Sequence, residues 1–456
     1  MTIHDDLGLA HSGANADSLA HYRRALHQFH CYIEDPVASV DAAIEQRPDF
    51  VMAHVLKAYL HLLGTEPAAI AVARDCLDSA QRLPANARER GHIAAVTRMV
   101  DGQWHHAGRL LEDVAIDFPR DILALQAGHL ADFYVGNSRM LRDRIARALP
   151  AWSRDLPGYH AVLGMHAFGL EETADYARAE ARGRAAVELE PRDGWAQHAV
   201  AHVMEMQCRT REGIAWMRAN PNAWSTDSFF KVHLWWHLAL YHLELGEIDE
   251  VLALFDGPIH GERSTMVLDM IDASALLWRL HLRGIDVGQR WATVADGWEP
   301  IATAGNYAFN DVHAVMAFVG ARRPDAVAAV LETQQRVMQG SDDNEVFTRE
   351  VGHPLALAIK AFGQARYEET VRLIRQVREI AQRFGGSHAQ RDLLDLTLIE
   401  AALRAGQRPL ASAFRRTARP FRLRRIGMRC AYPAGLFAFA KLVVDEGAQR
   451  VHGLLL

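Results

Sequence analysis

The sequence predicts an all-α chain built of stacked helix-turn-helix units, an α-solenoid, on three observations. Apolar residues recur at helical spacing along almost the whole chain. Runs that alternate Val, Ile or Thr with polar residues, as strands do, are scarce. Helix stops made of proline and acids return at intervals, in RPDF at 47–50, FPRD at 118–121 and EPRDGW at 190–195, while GEID at 246–249 reads as a tight turn between helices. Pro119 and Pro191 are 72 residues apart, twice 36. One helix pair cannot bury its apolar face alone, so such a period implies units stacked into a continuous core.

A unit of about 34 residues can be phased on these prolines. With Pro191 near its end the unit begins at His160, and Ala167, Ala179 and Ala186 fall where paired helices must approach closely. A unit from Arg88 places Ala95 and Ala107 at two of those positions and the larger Val114 at the third. Further units start at Gly194 (Ala201, Gly213), Val232 (Ala239, Gly246, Phe255), Tyr307 and Val351 (Ala358, Tyr367). They resemble tetratricopeptide repeats, in which small residues let two antiparallel helices come together.

Composition narrows the function classes. Of 456 residues 50% are hydrophobic, and 56 acids against 50 bases leave a net charge of −6, which excludes a disordered chain and a nucleic-acid footprint over the whole protein. The N-terminus has no signal-peptide core, and nowhere do about 18 uncharged apolar residues run together, so no membrane partner is expected. Cys31, Cys76, Cys208 and Cys430 lie far apart without a CxxC pair and read as reduced thiols of a cytoplasmic protein. No G-x-G-x-x-G, GxxxxGK[ST] or G-x-S-x-G is present, which removes support for a dinucleotide fold, a P-loop or a serine hydrolase. Residues 1–15 are expected to be a flexible start, 16–405 the repeat superhelix, and 406–456 an arginine-rich helical segment. The arginines of that segment, Arg415, Arg416, Arg419, Arg422, Arg424, Arg425 and Arg429, read as a solvated face. Gly385-Gly386-Ser387-His388 reads as a helix end and restart.

The chemistry lies in polar residues set inside apolar helices. His198, His202 and Glu205 are spaced i, i+4, i+7 and share a helical face, and His233 and His237 repeat the i, i+4 spacing in the next unit. His166 and Glu171 occupy the preceding unit, and Asn310, Asp311 and His313 open a later helix. In the repeat phasing Glu171, His198, His202, Glu205, His233 and Asp311 fall on the concave side, so a single pocket is expected to collect them. Lone histidines such as His54, His61, His129 and His242 are expected to be hydrogen-bonded core residues. No bound metal is expected, because H-x₃-H on one helix lacks the internal glutamate of HExxH, and no cofactor can be named.

Eight strings occur in order: DILALQAGHLADFYVG (121–136), GMHAFGLEET (164–173), WAQHAVAHVMEM (195–206), WWHLALYHLELGEID (235–249), LLWRLHLRGIDVGQRW (276–291), FNDVHAVMA (309–317), EVGHPLALAI (350–359) and GGSHAQRD (385–392). Together they resemble the tetratricopeptide repeat protein 38 family over about residues 15–405. The resemblance implies an all-helical superhelix and cytosolic residence, implies no settled reaction, and adds emphasis to Arg391 and Asp392 beside the residues above.

Two functions follow as expectations. The first is a pocket on the concave face, lined by His, Asp and Glu, that binds a small molecule, with acid–base or metal-assisted catalysis left open. The alternative is a non-catalytic tetratricopeptide adaptor for a peptide or protein partner, which the lack of Lys and Arg at the inward positions disfavours.

Overall fold

A computed structural model describes residues 2–417. The chain folds as helix pairs in sequence order, as the punctuation requires. The first half comprises α1 (Ala16–Cys31), α2 (Pro36–Gln46), α3 (Val51–Leu62), α4 (Ala69–Gln81), α5 (Ala87–Val100), α6 (Trp104–Asp117), α7 (Ile122–Tyr134), α8 (Ser138–Ala148), α9 (Tyr159–Glu172) and α10 (Tyr176–Leu189). The second half continues with α11 (Gly194–Met206), α12 (Thr210–Ala219), α13 (Pro221–Ser225), α14 (Lys231–Leu245), α15 (Ile248–Leu254), α16 (Val267–Leu282), α17 (Arg290–Trp298), α18 (Ala308–Gly320), α19 (Pro324–Val337), α20 (Asp343–Phe347), α21 (His353–Gly363), α22 (Tyr367–Val377), α23 (His388–Arg404) and α24 (Arg408–Thr417). No helix among the described residues is long and apolar enough to cross a membrane.

The phased units coincide with these pairs. The unit from His160 is α9 and α10, and Ala167, Ala179 and Ala186 are fully buried between helices. The unit from Arg88 is α5 and α6, that from Gly194 is α11 and α12, and those from Val232 and Tyr307 open on α14 and α18. Gly246 closes α14 with φ of +77°, a left-handed conformation that glycine adopts without strain.

The recurrent stops have a physical reason. In FPRD and EPRD the proline follows a helix end, and the aspartate opens the next helix as its N-cap. Asp121 accepts the Ala124 amide at 3.0 Å, and Asp193 accepts the Ala196 amide at 2.8 Å. The second oxygen of each ties back to the preceding unit. Asp121 Oδ2 takes Arg88 Nη1 at 2.9 Å and His92 Nε2 at 2.9 Å, and Asp193 Oδ2 takes His160 Nδ1 at 2.8 Å. Burial alone would raise the Asp121 carboxyl, but His92 and Arg88 hold it well below the usual carboxylate range.

The superhelix closes on itself. Asn306 and Asn310 on α18 and its leading turn donate to the Thr65 carbonyl in the α3–α4 turn, and the Val267 amide donates to Glu66 at 2.7 Å. Further along, the Asp343 amide donates to the Gly102 carbonyl at 3.0 Å, and Tyr307 donates to the carbonyls of Tyr134 and Phe384. Early and late units therefore enclose an interior rather than flank an open groove.

The N-terminus departs from the expected flexible start. Strands β1 (Thr2–His4) and β2 (Ala10–Ser12) form an antiparallel hairpin, and its β2 side is bonded to the body. The Ser12 amide donates to Glu89 at 2.8 Å, the Ala10 carbonyl accepts from Arg88 and Asn86, and His11 packs edge-on against Tyr22 and Phe50. Polar composition suggested mobility there, whereas partners some 80 residues later in the chain order it, a long-range effect no local pattern carries. In the arginine-rich segment α24 runs on from α23, with Arg415 and Arg416 exposed; Arg419 through Arg429 and Cys430 lie outside the described residues.

Replacing one partner of a buried ion pair strands the other charge. We expect Asp121→Asn to strand Arg88, which is 3% exposed, and to lower stability by about 3–5 kcal/mol in urea unfolding followed by circular dichroism.

Candidate functional site

The interior holds a cavity of about 550 Å³. Its walls are largely apolar and aromatic: Phe29 and Tyr32 at the end of α1, Leu130 and Phe133 on α7, Trp195 on α11, Phe229 and Phe230 before α14, Ile271 on α16, and Tyr307 and Phe309 at the start of α18. Polar groups line it in small sets, His198 with His233 on one wall, Thr65 with Asn310, Ser387 with Gln390, and His61 and Glu66. Exposed lining residues, Glu34, Asp35, Ala68 and Met266, mark its mouth. Trp195 Nε1 and Asn310 Oδ1 are buried and find no hydrogen-bond partner in the protein.

Behind the His198 and His233 wall lies a four-imidazole cluster. His198 and His202 project from α11, and His233 and His237 from α14. The two pairs are related by the repeat, since His198 and His233 are 35 residues apart and His202 and His237 share that offset. His198 Nε2 and His233 Nε2 are 3.0 Å apart, and His233 Nε2 and His237 Nε2 are 3.3 Å apart. One ligating atom from each of the four lies within 4.8 Å of the others.

Carboxylates stand behind the rings. His237 Nδ1 meets Glu205 Oε2 at 2.8 Å, His233 Nδ1 meets Asp272 Oδ2 at 2.8 Å, and His202 Nδ1 lies 3.6 Å from Glu171 Oε2. The register repeats here too: the glutamate near the end of α9 faces the second histidine of α11, and the glutamate near the end of α11 faces the second histidine of α14. Phe168 stacks on His198 and Trp236 on His233, which fixes both ring planes. Burial, reinforced by His233 and His237, holds the His198 imidazole well below its usual range. Burial pushes the Asp272 carboxyl up, and His233 opposes that shift.

The expected site residues separate into groups. His198, His202, Glu205, His233, His237 and Glu171 converge, and of these His198 and His233 reach the cavity. Asn310 also lines it. His166 does not join them: it is buried on α9, and burial followed by Arg182 and Arg178 of α10 lowers it to about 4. Its helical position sets it toward its own partner helix.

Asp311, placed inward by the phasing, instead faces α19, where it accepts Gln334 Nε2 at 3.3 Å. The phasing fixes a position only to within a fraction of a turn, and one residue rotates a side chain by about 100°. His313 turns Nδ1 to the Phe309 carbonyl at 2.8 Å and lies outside the cavity lining. Arg391 donates to the Gly385 and Gly386 carbonyls of its own leading turn and pairs with Glu172 of α9 at 3.5 Å, and Asp392 pairs with Arg279 of α16 at 2.8 Å, so both hold α23 against its neighbours. At Gly385-Gly386-Ser387-His388 the helix restarts with a capping box, and the His388 amide donates to Glu172. Asp272 was missed. Its signal is a single aspartate within the apolar run MIDASALLW of α16.

No protein-family model matches the sequence. Among solved structures the chain is similar to the crystal structure of the P58(IPK) TPR domain, at 14% identity over 86% of this chain and 99% of that one, with a TM-score of 0.19. A likeness at that score carries no argument about this chain.

Asp311 supplies a pH test. Burial raises its carboxyl to about 7, with Gln334 opposing. A carboxyl raised on folding holds its proton in the native state after the unfolded chain has released it, so its stabilising proton is lost as pH rises from about 4 to 7. We expect Asp311→Asn to leave stability unchanged near pH 4 and to raise it by about 2–4 kcal/mol at pH 8, measured by denaturant unfolding at both values.

Proposed function

We propose that this tetratricopeptide-like chain is a small-molecule-binding protein whose ligand occupies the interior cavity between the early and late units. The observation that carries the reading is an aromatic-walled interior volume of about 550 Å³, open at one mouth, whose polar lining is gathered in a few small groups. Small-molecule sites fall between about 300 and 1,000 Å³ and share that makeup, because apolar area supplies affinity while a few donors and acceptors fix orientation. The ligand class that fits is a largely apolar molecule with an oxygen-bearing end. Its body would lie along Phe133, Trp195 and Phe230, and its polar end would meet Asn310 and Gln390 or the imidazoles of His198 and His233. Asn310 Oδ1, buried without a protein partner, favours a ligand that donates a hydrogen bond.

The adaptor alternative fits less well. A peptide laid along a concave face needs that face open, whereas the Thr65–Asn310 and Glu66–Val267 contacts bridge it. We also propose membership of the tetratricopeptide repeat protein 38 family and cytoplasmic residence, on the eight ordered strings and the reduced thiols.

A cavity-filling variant tests the pocket. Leu130 on α7 is 6% exposed and faces the volume, so a larger side chain there enters open space rather than packed core. We expect the fluorescent apolar probe 8-anilinonaphthalene-1-sulfonate to bind once per chain and to be displaced by medium-chain alkanols, whose hydroxyl can donate to Asn310 Oδ1. In Leu130→Trp that binding should weaken by more than about tenfold, which is about 1.4 kcal/mol, with the melting temperature nearly unchanged. Equal affinity in the variant would refute the pocket.

A further inference from the structure

The four-histidine cluster holds an electrostatic conflict. Where carboxylates accept Nδ1–H from His233 and His237, the Nε2 atoms of both rings carry lone pairs, and those lone pairs face each other across 3.3 Å. His198 Nε2 adds a third nitrogen at 3.0 Å from His233, and its single N–H can donate to only one of the two facing lone pairs. A positive species between them removes the repulsion, either a proton or a metal ion.

Three features favour the ion. Two ring nitrogens each about 2.0–2.1 Å from a tetrahedral ion lie about 3.3 Å apart, which is the His233–His237 separation. The rings are turned by carboxylates at Nδ1, an arrangement that fixes the tautomer presenting Nε2 and increases its basicity as a ligand. The surroundings are buried and contain the carboxyl groups of Glu171, Glu205 and Asp272, whose combined charge a divalent cation offsets.

We propose that His198, His202, His233 and His237 form a binding site for one divalent first-row transition-metal ion, with Glu205, Asp272 and Glu171 orienting the rings. An all-imidazole set suits zinc, iron, copper or nickel and disfavours the hard ions magnesium and calcium. The expectation of no metal considered one helix, on which H-x₃-H is half a site; the second half comes from α14 one repeat later. The ion would sit at the cavity wall, because His198 and His233 belong to both. The inference does not require the ligand reading, since metal uptake is measured without any cavity ligand.

The test uses the full chain, stripped with a chelator and titrated with Co(II) and then Zn(II). We expect one tight Co(II) per chain with the visible ligand-field bands of a nitrogen-coordinated ion, displaced by Zn(II), and no response to magnesium. Affinity should fall more than about 100-fold in His233→Gln and His237→Gln, and about 10–100-fold in Glu205→Gln, which alters only a group behind a ring. His27→Gln, in the separate His27, Cys31 and His160 cluster, should change nothing. If the histidine variants do not fold, Glu205→Gln and the wild-type stoichiometry decide. Absence of stoichiometric Co(II) binding in the folded wild type, or affinity unchanged in Glu205→Gln, overturns the site. Either result leaves dye binding in the cavity to be judged on its own.

Discussion

The stack depends on aspartates that perform two tasks at once. Asp121 and Asp193 each use one oxygen to start a helix and the other to hold the unit before it. Capping satisfies an amide that helix geometry leaves without a partner, and the second contact converts that local act into a join between units. Orientation between successive pairs is thereby set by a group at the joint itself, and the alanines behind it need only permit close approach. Similar links at one repeat length recur between other elements, as with Tyr59 to His92 and Thr210 to Glu244.

This explains why the fold was legible. Proline, aspartate and small residues act through the backbone and through close packing, which are local and periodic, so their spacing carries over directly into helix pairs. The cluster was half legible for the same reason. His198 with His202 and His233 with His237 share helical faces, and the equal offset between them is visible in the sequence. Asp272 was not legible as their partner, because nothing periodic connects α16 to α14. Asp311 and His166 show the limit of phasing: a template names the side of a helix, but the neighbouring helix decides which group completes a side chain's hydrogen bonds.

The cluster also concentrates cost. Four imidazoles and three carboxyl groups are removed from water within a few ångströms, and buried polar groups are retained only where partners or a ligand compensate them. Elsewhere in the interior the buried histidines stand singly, as with His54 on the Pro48 carbonyl and His313, whose Nδ1 meets the Phe309 carbonyl while its Nε2 is buried without a partner. The contrast between these isolated imidazoles and the crowded ones marks out the candidate site.

Closure of the superhelix has a consequence for how such a chain can change over time. An open solenoid can gain or lose a repeat anywhere, since each unit meets only its neighbours. Here the Glu66–Val267 and Thr65–Asn310 contacts join residues 201 and 245 positions apart, so every unit between them is part of a ring. Insertion or deletion of a single pair would shift one end past the other and separate the walls of the interior. Repeat number in this architecture is therefore fixed by geometry, and divergence is confined to side chains, turns and the stretches that lie outside the ring.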